Sequence, residues 1–280
     1  MKESETLQNE RRQAYVNQPP KPVLEVVGEP TALAACLGDA TTSKTRPTLA
    51  RSAHIQRLVV LGDPGSGKSS LLRFLALRWA RIDDANLRYT QPLPLLIELR
   101  EYNRWECANG KSFSKYLHEA STWHRLNQHT LNHLLEQSDR VVLLLDGLDE
   151  VFDPAERELV VNDIHRFSND HKQVRIVLTS RVVGYKPKRL RDAEFRHFML
   201  QDLDKDQIGV FLDRWHEITF DKQDEAQPKR ERLAKAIENS NSIGQLARNP
   251  LLLTMTGARS CGLSAAKSTH SLSAASLSVW

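Results

Sequence analysis

Long apolar runs, closely spaced cysteines and a large excess of one charge are all missing from this chain of 280 residues. No apolar run approaches the roughly 18 residues that a membrane-spanning helix needs, so we expect the protein to have no membrane partner. Its three cysteines, Cys36, Cys107 and Cys261, lie far apart and show no paired spacing. They therefore indicate neither a disulfide framework nor a zinc site, and they favour a reducing, cytoplasmic compartment.

The surplus of positive charge is small. Lysine and arginine together number 39, and aspartate and glutamate number 35, which gives a formal net charge of +4. For a chain of this length, that surplus does not indicate nucleic acid as a partner. Apolar residues make up 40% of the chain and charged residues 26%, as in an ordinary globular protein of one large domain or two small ones.

Short apolar segments alternate with helical patterns through the middle of the chain. Four of these segments are expected to be strands: Leu58–Leu61, Leu95–Leu99, Val141–Leu145 and Val174–Thr179. The alternation predicts an α/β fold, in which a central parallel sheet carries helices on its faces. From about residue 200 helical patterns take over, and Asp204 with Gln207 has the spacing of a capping box. We therefore predict a small helical subdomain after the sheet.

The two ends of the chain differ from this middle part. Residues 1–54 are expected to form a polar lead-in that contains a stiff, proline-rich linker. The segment 258–280 contains seven serines and no acidic residue, and it shows no apolar period. It is expected to be a disordered tail.

The loop from Gly62 to Ser69 gives the clearest chemical signal. It matches the pattern G-x-x-x-x-G-K-[ST] at every constrained position. An apolar strand precedes it, and a helix predicted from Ser70 to Arg81 follows it, as a phosphate-binding loop requires. A glycine-rich turn that merely contains a lysine is the alternative, which this context disfavours. The predicted nucleotide-binding residues of the loop are Gly62, Asp63, Pro64, Gly65, Ser66, Gly67, Lys68, Ser69 and Ser70.

Each part of this loop has a physical role. The glycines let successive N–H groups turn inward toward phosphate oxygens, and the helix that follows presents the positive end of its dipole. Lys68 is expected to reach the outer phosphates, and the Ser69 hydroxyl is expected to bind Mg²⁺. The loop therefore predicts a nucleoside triphosphate with Mg²⁺ as the ligand.

A second buried strand ends in a carboxylate. Val141–Leu145 is followed directly by Asp146, which places this acid at the carboxyl edge of the sheet, where ligands bind in open α/β folds. Asp146 is expected to hold Mg²⁺ opposite Ser69. Asp149 or Glu150 could polarise the attacking water as a general base. An ordinary Asp-Gly turn is the alternative, which the apolar strand in front of it disfavours.

A third apolar strand ends in Thr179, Ser180 and Arg181. Any of the three could sense the outer phosphate at the same edge, and a guanidinium there would stabilise charge on the transferring phosphoryl group. For Arg181 alone an ordinary surface arginine would be favoured. Beside the other two motifs we favour the phosphate sensor.

Taken in their order along the chain, four motifs resemble those of a NACHT domain, a family in the STAND class of signal-transduction NTPases. They are Gly62–Ser69, Asp146–Glu150, Thr179–Arg181 and Asn249–Leu253. The resemblance covers roughly residues 55 to 256. Its most specific element comes after the aspartate that binds magnesium. A small residue follows directly, and a further acid lies two residues beyond it; Gly147 and Asp149 match these two positions.

This resemblance implies a three-layer P-loop NTPase fold, with a nucleotide-binding domain over 55–200 and a helical subdomain over 201–257. It implies that Asp149 is the catalytic base with Glu150 in support, and that Arg181 is the sensor-1 arginine. Pro250 matches the proline that packs near the adenine, so ATP is expected rather than GTP. Without the resemblance, Pro250 would indicate only a helix break.

The resemblance also implies a switch. In this family ADP holds the protein closed, and exchange for ATP opens it and permits oligomerisation, because the γ-phosphate biases a two-state element. We therefore expect a weak ATPase that forms a homo-oligomer and acts on an effector or sensor protein. After Thr256 the family pattern, which continues into a winged-helix domain, stops, and we expect a truncated chain.

Two other functions stay open from the residues. One is another P-loop enzyme, although the N-K-x-D motif of Ras-type GTPases and the L-S-G-G-Q motif of transporter ATPases are absent from the sequence. A P-loop kinase is less favoured, because the acids from Asp146 to Glu150 suit water as the nucleophile. The other is a remnant that binds nucleotide, or only partners, without switching.

Overall fold

The computed structural model describes residues 56–83, 91–108, 110–121, 126–137, 140–186, 190–191, 193–220 and 223–260. The predicted lead-in, residues 1–54, lies outside these ranges, as does the predicted tail from residue 261 onward. Within the described ranges, no helix is both long and apolar enough to span a lipid bilayer.

A parallel sheet of five strands forms the centre of the described structure. In chain order the strands are β1 (Arg57–Leu61), β2 (Leu93–Glu98), β3 (Val141–Asp146), β4 (Arg175–Ser180) and β5 (Arg196–Met199). They lie side by side in the order β2-β3-β4-β1-β5, and each neighbouring pair is parallel. The predicted parallel sheet is therefore confirmed.

Helices connect the strands and follow the sheet. In chain order they are α1 (Lys68–Ala80), α2 (Leu99–Arg104), α3 (Phe113–Glu119), α4 (Gln128–Glu136), α5 (Pro154–Asp170), α6 (Lys205–Thr219), α7 (Gln223–Asn239), α8 (Asn241–Ala247) and α9 (Pro250–Ser260). A single turn of 3-10 helix, Leu148–Glu150, follows β3.

Both faces of the sheet are covered, which makes the fold three-layered. Side chains alternate between the faces along a strand. Leu58 and Val60 of β1 share one apolar cluster with α1, whereas Val59 and Leu61 share another with α2, α3, α4 and α5. A strand that is buried on both faces has a continuous apolar run, and β1, β3 and β4 contain such runs at Leu58–Leu61, Val141–Leu145 and Ile176–Leu178.

The four helices after the sheet enclose a core of their own, which confirms the predicted helices in this part of the chain. The predicted capping box at the start of α6 is present, because Asp204 and Gln207 each accept a backbone N–H from the other at 2.8 and 3.0 Å. The fully buried Trp215 lies at the centre of this core. Its buried members are Leu203, Ile208, Phe211, Leu212, Trp215, Leu233, Ala247, Leu253 and Ala258.

Three details differ from the sequence-based expectations. The four predicted strands were incomplete, because β5 carries no apolar run and forms by pairing with β1 at the edge of the sheet. Leu99, predicted as the end of a strand, is the first residue of α2. Helix α9 continues to Ser260, so the first residues of the predicted tail are helical, and Ala258 is buried in the core of these helices.

One contact ties β5 to the segment that follows β4. The Tyr185 hydroxyl lies 2.6 Å from Nε2 of His197 in β5. Burial, and to a smaller extent the positive charge of the nearby Arg191, lower the pKa of His197 to about 4. A neutral His197 accepts the hydrogen bond from Tyr185 at neutral pH. This bond restrains the segment that begins at Arg181.

We expect His197 to make the protein less stable in mild acid. Its pKa is lower in the folded state than the 6.5 of an unperturbed histidine, so the unfolded chain takes up the proton first. Stability is therefore lost as the pH falls from above 6.5 toward 4. Between about pH 7 and about pH 5, the free energy of unfolding should fall by about 1 kcal/mol more in wild type than in His197→Gln. This figure is reduced because His197 is partly exposed to solvent. Urea denaturation at each pH measures the difference.

His129 offers the matched control, because it is exposed on α4. His129→Gln should lose as much stability on acidification as wild type does. Equal losses in His197→Gln and wild type would contradict this role of His197.

Candidate functional site

The loop that follows β1 lies at the carboxyl edge of the sheet, where β3 and β4 also end. These three strands are adjacent in the order β3-β4-β1, so the polar residues after each strand meet in one place. The cleft at this edge has a volume of about 510 Å³. Its lining residues are Pro64, Gly65, Gly67, Lys68, Ser69, Ser70, Arg73, Asp146, Gly147, Asp149, Glu150, Thr179, Arg181, Pro250, Leu251 and Thr254.

The loop itself adopts a conformation that requires glycine. Gly65 and Gly67 have φ angles of 77° and 94°, which other residues rarely adopt. A Cβ on Gly65 would also lie 2.8 Å from the Leu251 side chain. Gly67 is the residue directly before α1. The backbone thus turns directly into the N-terminus of α1, whose dipole favours an anion at this end.

Lys68 crosses the loop from the first turn of α1. Its Nζ donates hydrogen bonds to the carbonyl oxygens of Gly62 at 2.8 Å and Asp63 at 2.9 Å. Burial lowers the pKa of Lys68, and the charges of Asp149 and Asp146 oppose that change. The ammonium group therefore lies between the loop and the acids at the end of β3.

Thr179 joins the ends of β3 and β4. Its hydroxyl donates to Oδ1 of Asp146 at 2.6 Å and accepts the backbone N–H of Gly147 at 2.8 Å. The side chain of Thr179 is completely buried. The neighbouring strand therefore fixes the position of the predicted magnesium ligand, Asp146.

Asp149 and Arg181 form a two-point contact. Nε of Arg181 lies 2.8 Å from Oδ2 of Asp149, and the backbone N–H of Arg181 donates to Oδ1 at 2.9 Å. Asp149 is only 13% exposed, whereas Arg181 is 50% exposed. Both oxygens of the predicted base are thus engaged by the predicted phosphate sensor.

Glu150 has a different environment. Its side chain packs against Gly147, because a Cβ on Gly147 would lie 3.1 Å from Cδ of Glu150. Burial raises the pKa of Glu150, and the charges of Asp146 and Asp149 raise it further. A carboxylate with a raised pKa binds a proton more readily, which is what a general base does. Glu150 is therefore chemically suited to that role.

The helical subdomain supplies one wall of the cleft. Pro250 is the first residue of α9, and it lines the cleft together with Leu251 and Thr254. Asn249, directly before it, donates from Nδ2 to the carbonyl oxygen of Pro64 at 3.0 Å. From the sequence only Pro250 was predicted as a site residue, whereas Asn249, Leu251, Thr254 and Arg73 were not. Asn249 and Leu251 lie within the motif Asn249–Leu253 and Thr254 follows it, but Arg73 is marked only by its place in the helix after the phosphate loop.

The structure brings most of the predicted site residues into the cleft. Gly62, Asp63 and Ser66 are not among its lining residues. The lining residues that the sequence predicted are Pro64, Gly65, Gly67, Lys68, Ser69, Ser70, Asp146, Asp149, Glu150, Arg181 and Pro250. The chemical roles of these side chains stay predictions.

The groups present fit a triphosphate with Mg²⁺. The loop offers backbone N–H groups around two glycines in the left-handed region, and Lys68 adds a cation. Ser69 and Asp146 line the same cleft and offer a hydroxyl and a carboxylate, the oxygen ligands that Mg²⁺ prefers. Ser66 Oγ is buried and has no hydrogen-bond partner within the described ranges.

Comparisons relate the chain to known proteins. The model of the NACHT domain family matches residues 56–219, which is more than half of the 280 residues. No curated protein matches the chain. Among solved structures, the chain is similar to one described as "Structure of C. elegans PCH-2". The two share 15% sequence identity with a TM-score of 0.38, and the match covers 90% of this chain and 67% of that chain.

We expect Thr179→Val to destabilise the protein. Valine keeps the shape but removes the hydroxyl, which leaves the Gly147 N–H and one Asp146 oxygen buried without this partner. The loss in the free energy of unfolding should be about 1–3 kcal/mol, measured by urea denaturation. Thr179→Ser, which keeps the hydroxyl, should stay much closer to wild type. A Thr179→Val variant as stable as wild type would show that these hydrogen bonds do not stabilise the protein.

Proposed function

The chain belongs to the NACHT domain family of P-loop NTPases, and from this membership we propose that it is an ATP-binding signalling NTPase. It acts as a nucleotide-dependent switch with weak ATP hydrolysis. The observation that carries this proposal is the single cleft in which the phosphate loop, the acids after β3, Arg181 and the start of α9 meet.

In the proposed complex, backbone N–H groups of the loop and Lys68 bind the phosphates of ATP. Lys68 would exchange its bonds to the Gly62 and Asp63 carbonyl oxygens for bonds to phosphate oxygens, which are stronger because both partners are charged. Ser69 and Asp146 would hold Mg²⁺, which neutralises phosphate charge when it is bound. Thr179 keeps Asp146 aimed at this position.

Asp149 is the proposed general base, with Glu150 in support. Both Asp149 oxygens accept a hydrogen bond from Arg181, so the arginine competes with the attacking water for the carboxylate. Arg181 is the more exposed partner, and a γ-phosphate in the cleft would compete with Asp149 for its guanidinium. This competition would keep hydrolysis slow, and it would ease if Arg181 turned toward a γ-phosphate.

The proposed switch rests on the position of α9. Pro250 and Leu251 line the same cleft as the phosphate loop, so a nucleotide would contact both the sheet domain and the helical subdomain. A ligand shifts a conformational equilibrium only if it binds two states differently, and a site that spans two parts of a protein can do so. The proposed partners are further copies of the chain and an effector or sensor protein, and the proposed location is the cytoplasm.

We expect Lys68→Ala to lose binding of Mg-ATP. The variant removes the one lysine side chain that lines the cleft within the described residues. Affinity should fall at least about 100-fold, because charge-assisted bonds to the phosphates disappear. Isothermal titration calorimetry measures it. Lys235→Ala, at an exposed position of α7, is the control and should bind as wild type does. Equal affinity in Lys68→Ala and wild type would overturn the proposed site.

We expect Asp149→Asn to bind ATP but to lose hydrolysis. Asparagine has the same size and can still accept one hydrogen bond from Arg181, but it cannot accept a proton from water. Release of inorganic phosphate should fall by about 100-fold or more. Glu150→Gln, as the matched variant of the neighbouring acid, should reduce the rate less.

If Glu150→Gln alone abolished turnover and Asp149→Asn did not, Glu150 would be the base. If the chain hydrolysed ATP but did not assemble in a nucleotide-dependent way, it would be an ordinary P-loop ATPase and not a switch.

A further inference from the structure

We propose that Asn249 is a positioning residue that fastens the start of α9 to the phosphate loop and thereby holds the loop ready for nucleotide. The proposal rests on the proposed function, because it concerns the same nucleotide site. It goes further by assigning the preparation of the loop to the helical subdomain. Asn249 and Pro64 are separated by 185 positions in the chain, so the contact depends on the fold as a whole.

The two ends of the Asn249 amide perform different tasks. Oδ1 accepts the backbone N–H groups of Leu251 at 3.1 Å and Leu252 at 3.3 Å, which caps α9. Nδ2 points the other way and donates to the carbonyl oxygen of Pro64 at 3.0 Å. The caps of α5 and α8, Asp153 and Ser240, accept backbone N–H groups of their own helices. An aspartate in place of Asn249 could also cap α9, but it has no N–H group to donate to the carbonyl oxygen of Pro64. A serine could cap α9 as well, but its side chain is too short to reach that oxygen at the same time.

A second bond runs beside the first. The backbone N–H of Leu251 donates to the carbonyl oxygen of Gly65 at 3.3 Å. The approach is so close that a Cβ on Gly65 would lie 2.8 Å from Oδ1 of Asn249. Two consecutive carbonyl groups of the loop, those of Pro64 and Gly65, are therefore turned toward α9.

The orientation of these carbonyl groups bears on phosphate binding. A phosphate-binding loop works because its N–H groups face the anion and its carbonyl oxygens do not. Carbonyl groups that are bonded to α9 are not available to turn into the cleft, where they would repel a phosphate. Preparing the loop in advance lowers the cost of ordering it when ligand binds. Loss of the Asn249 bond should thus weaken nucleotide binding although Asn249 need not touch the nucleotide.

The test uses Asn249→Ser in the full chain, with Mg-ATP as the probe. Serine is as good a helix cap as asparagine, but its side chain is too short to cap α9 and reach Pro64 together. The dissociation constant of Mg-ATP should rise by about 5-fold, as expected for one neutral hydrogen bond. Hydrogen exchange of the loop, residues 62–67, should become faster in the absence of nucleotide.

Ser240→Ala provides the control for a purely structural role. Ser240 caps α8 through the N–H of Ile243, so its loss weakens the same helical subdomain without touching the loop. This variant should lower the thermal unfolding midpoint and leave the dissociation constant of Mg-ATP unchanged. If the dissociation constant of Mg-ATP rises in Asn249→Ser but not in Ser240→Ala, the effect comes from the position of the loop and not from general destabilisation.

The outcomes separate this proposal from the one on which it rests. If Asn249→Ser binds Mg-ATP as wild type does while Lys68→Ala does not bind, the nucleotide site stands and the role of Asn249 is refuted. If wild type binds no Mg-ATP, the proposed function fails, and hydrogen exchange decides on Asn249. Faster exchange of residues 62–67 in Asn249→Ser than in Ser240→Ala would then support the contact as a fastening of the loop, and equal exchange would refute it.

Discussion

The whole site depends on one constraint, which is that β1, β3 and β4 are parallel neighbours. Parallel strands end at the same edge, so the phosphate loop, Asp146 and Arg181 are brought together although they are far apart in the chain. The strands can be packed this way because each is apolar on both faces and helices cover both. The polar residues of these strands lie at their ends, and those at the carboxyl ends meet at the site.

Hydrogen bonds between the strand ends convert this proximity into a fixed arrangement. Thr179 of β4 holds Asp146 of β3, and Arg181, directly after β4, holds Asp149. Lys68 lies between the loop and these acids, whose charges act on its pKa. The three motifs are thus one network, and movement of Arg181 away from Asp149 changes the field at Lys68 and Glu150 as well.

The sequence predicted the parts of this site that depend on local pattern. Buried strands are visible as apolar runs, and the loop from Gly62 to Ser69 has fixed spacing, so both could be placed without a structure. Strand β5 could not, because Arg196–Met199 has no strand pattern and is formed by pairing with β1. The bonds from Thr179 to Asp146 and from Asn249 to Pro64 join distant segments, and only tertiary structure shows them. The family resemblance supplied the motif Asn249–Leu253 and assigned a role to Pro250, but no pattern in the sequence indicated the bond from Asn249 to Pro64.

The strand order has a consequence for how the protein opens. In the described sheet, β2 and β5 occupy the two edges, and every strand that carries a site motif is an interior strand paired on both sides. Local unfolding starts where a segment has the fewest partners, so an edge strand can detach while the rest of the sheet persists. Fraying of either edge would leave β3, β4 and β1 paired, with the loop and the acids still facing one another. The least protected parts of the sheet are therefore not the parts that bear the site, and proteolytic nicking at an edge need not destroy it.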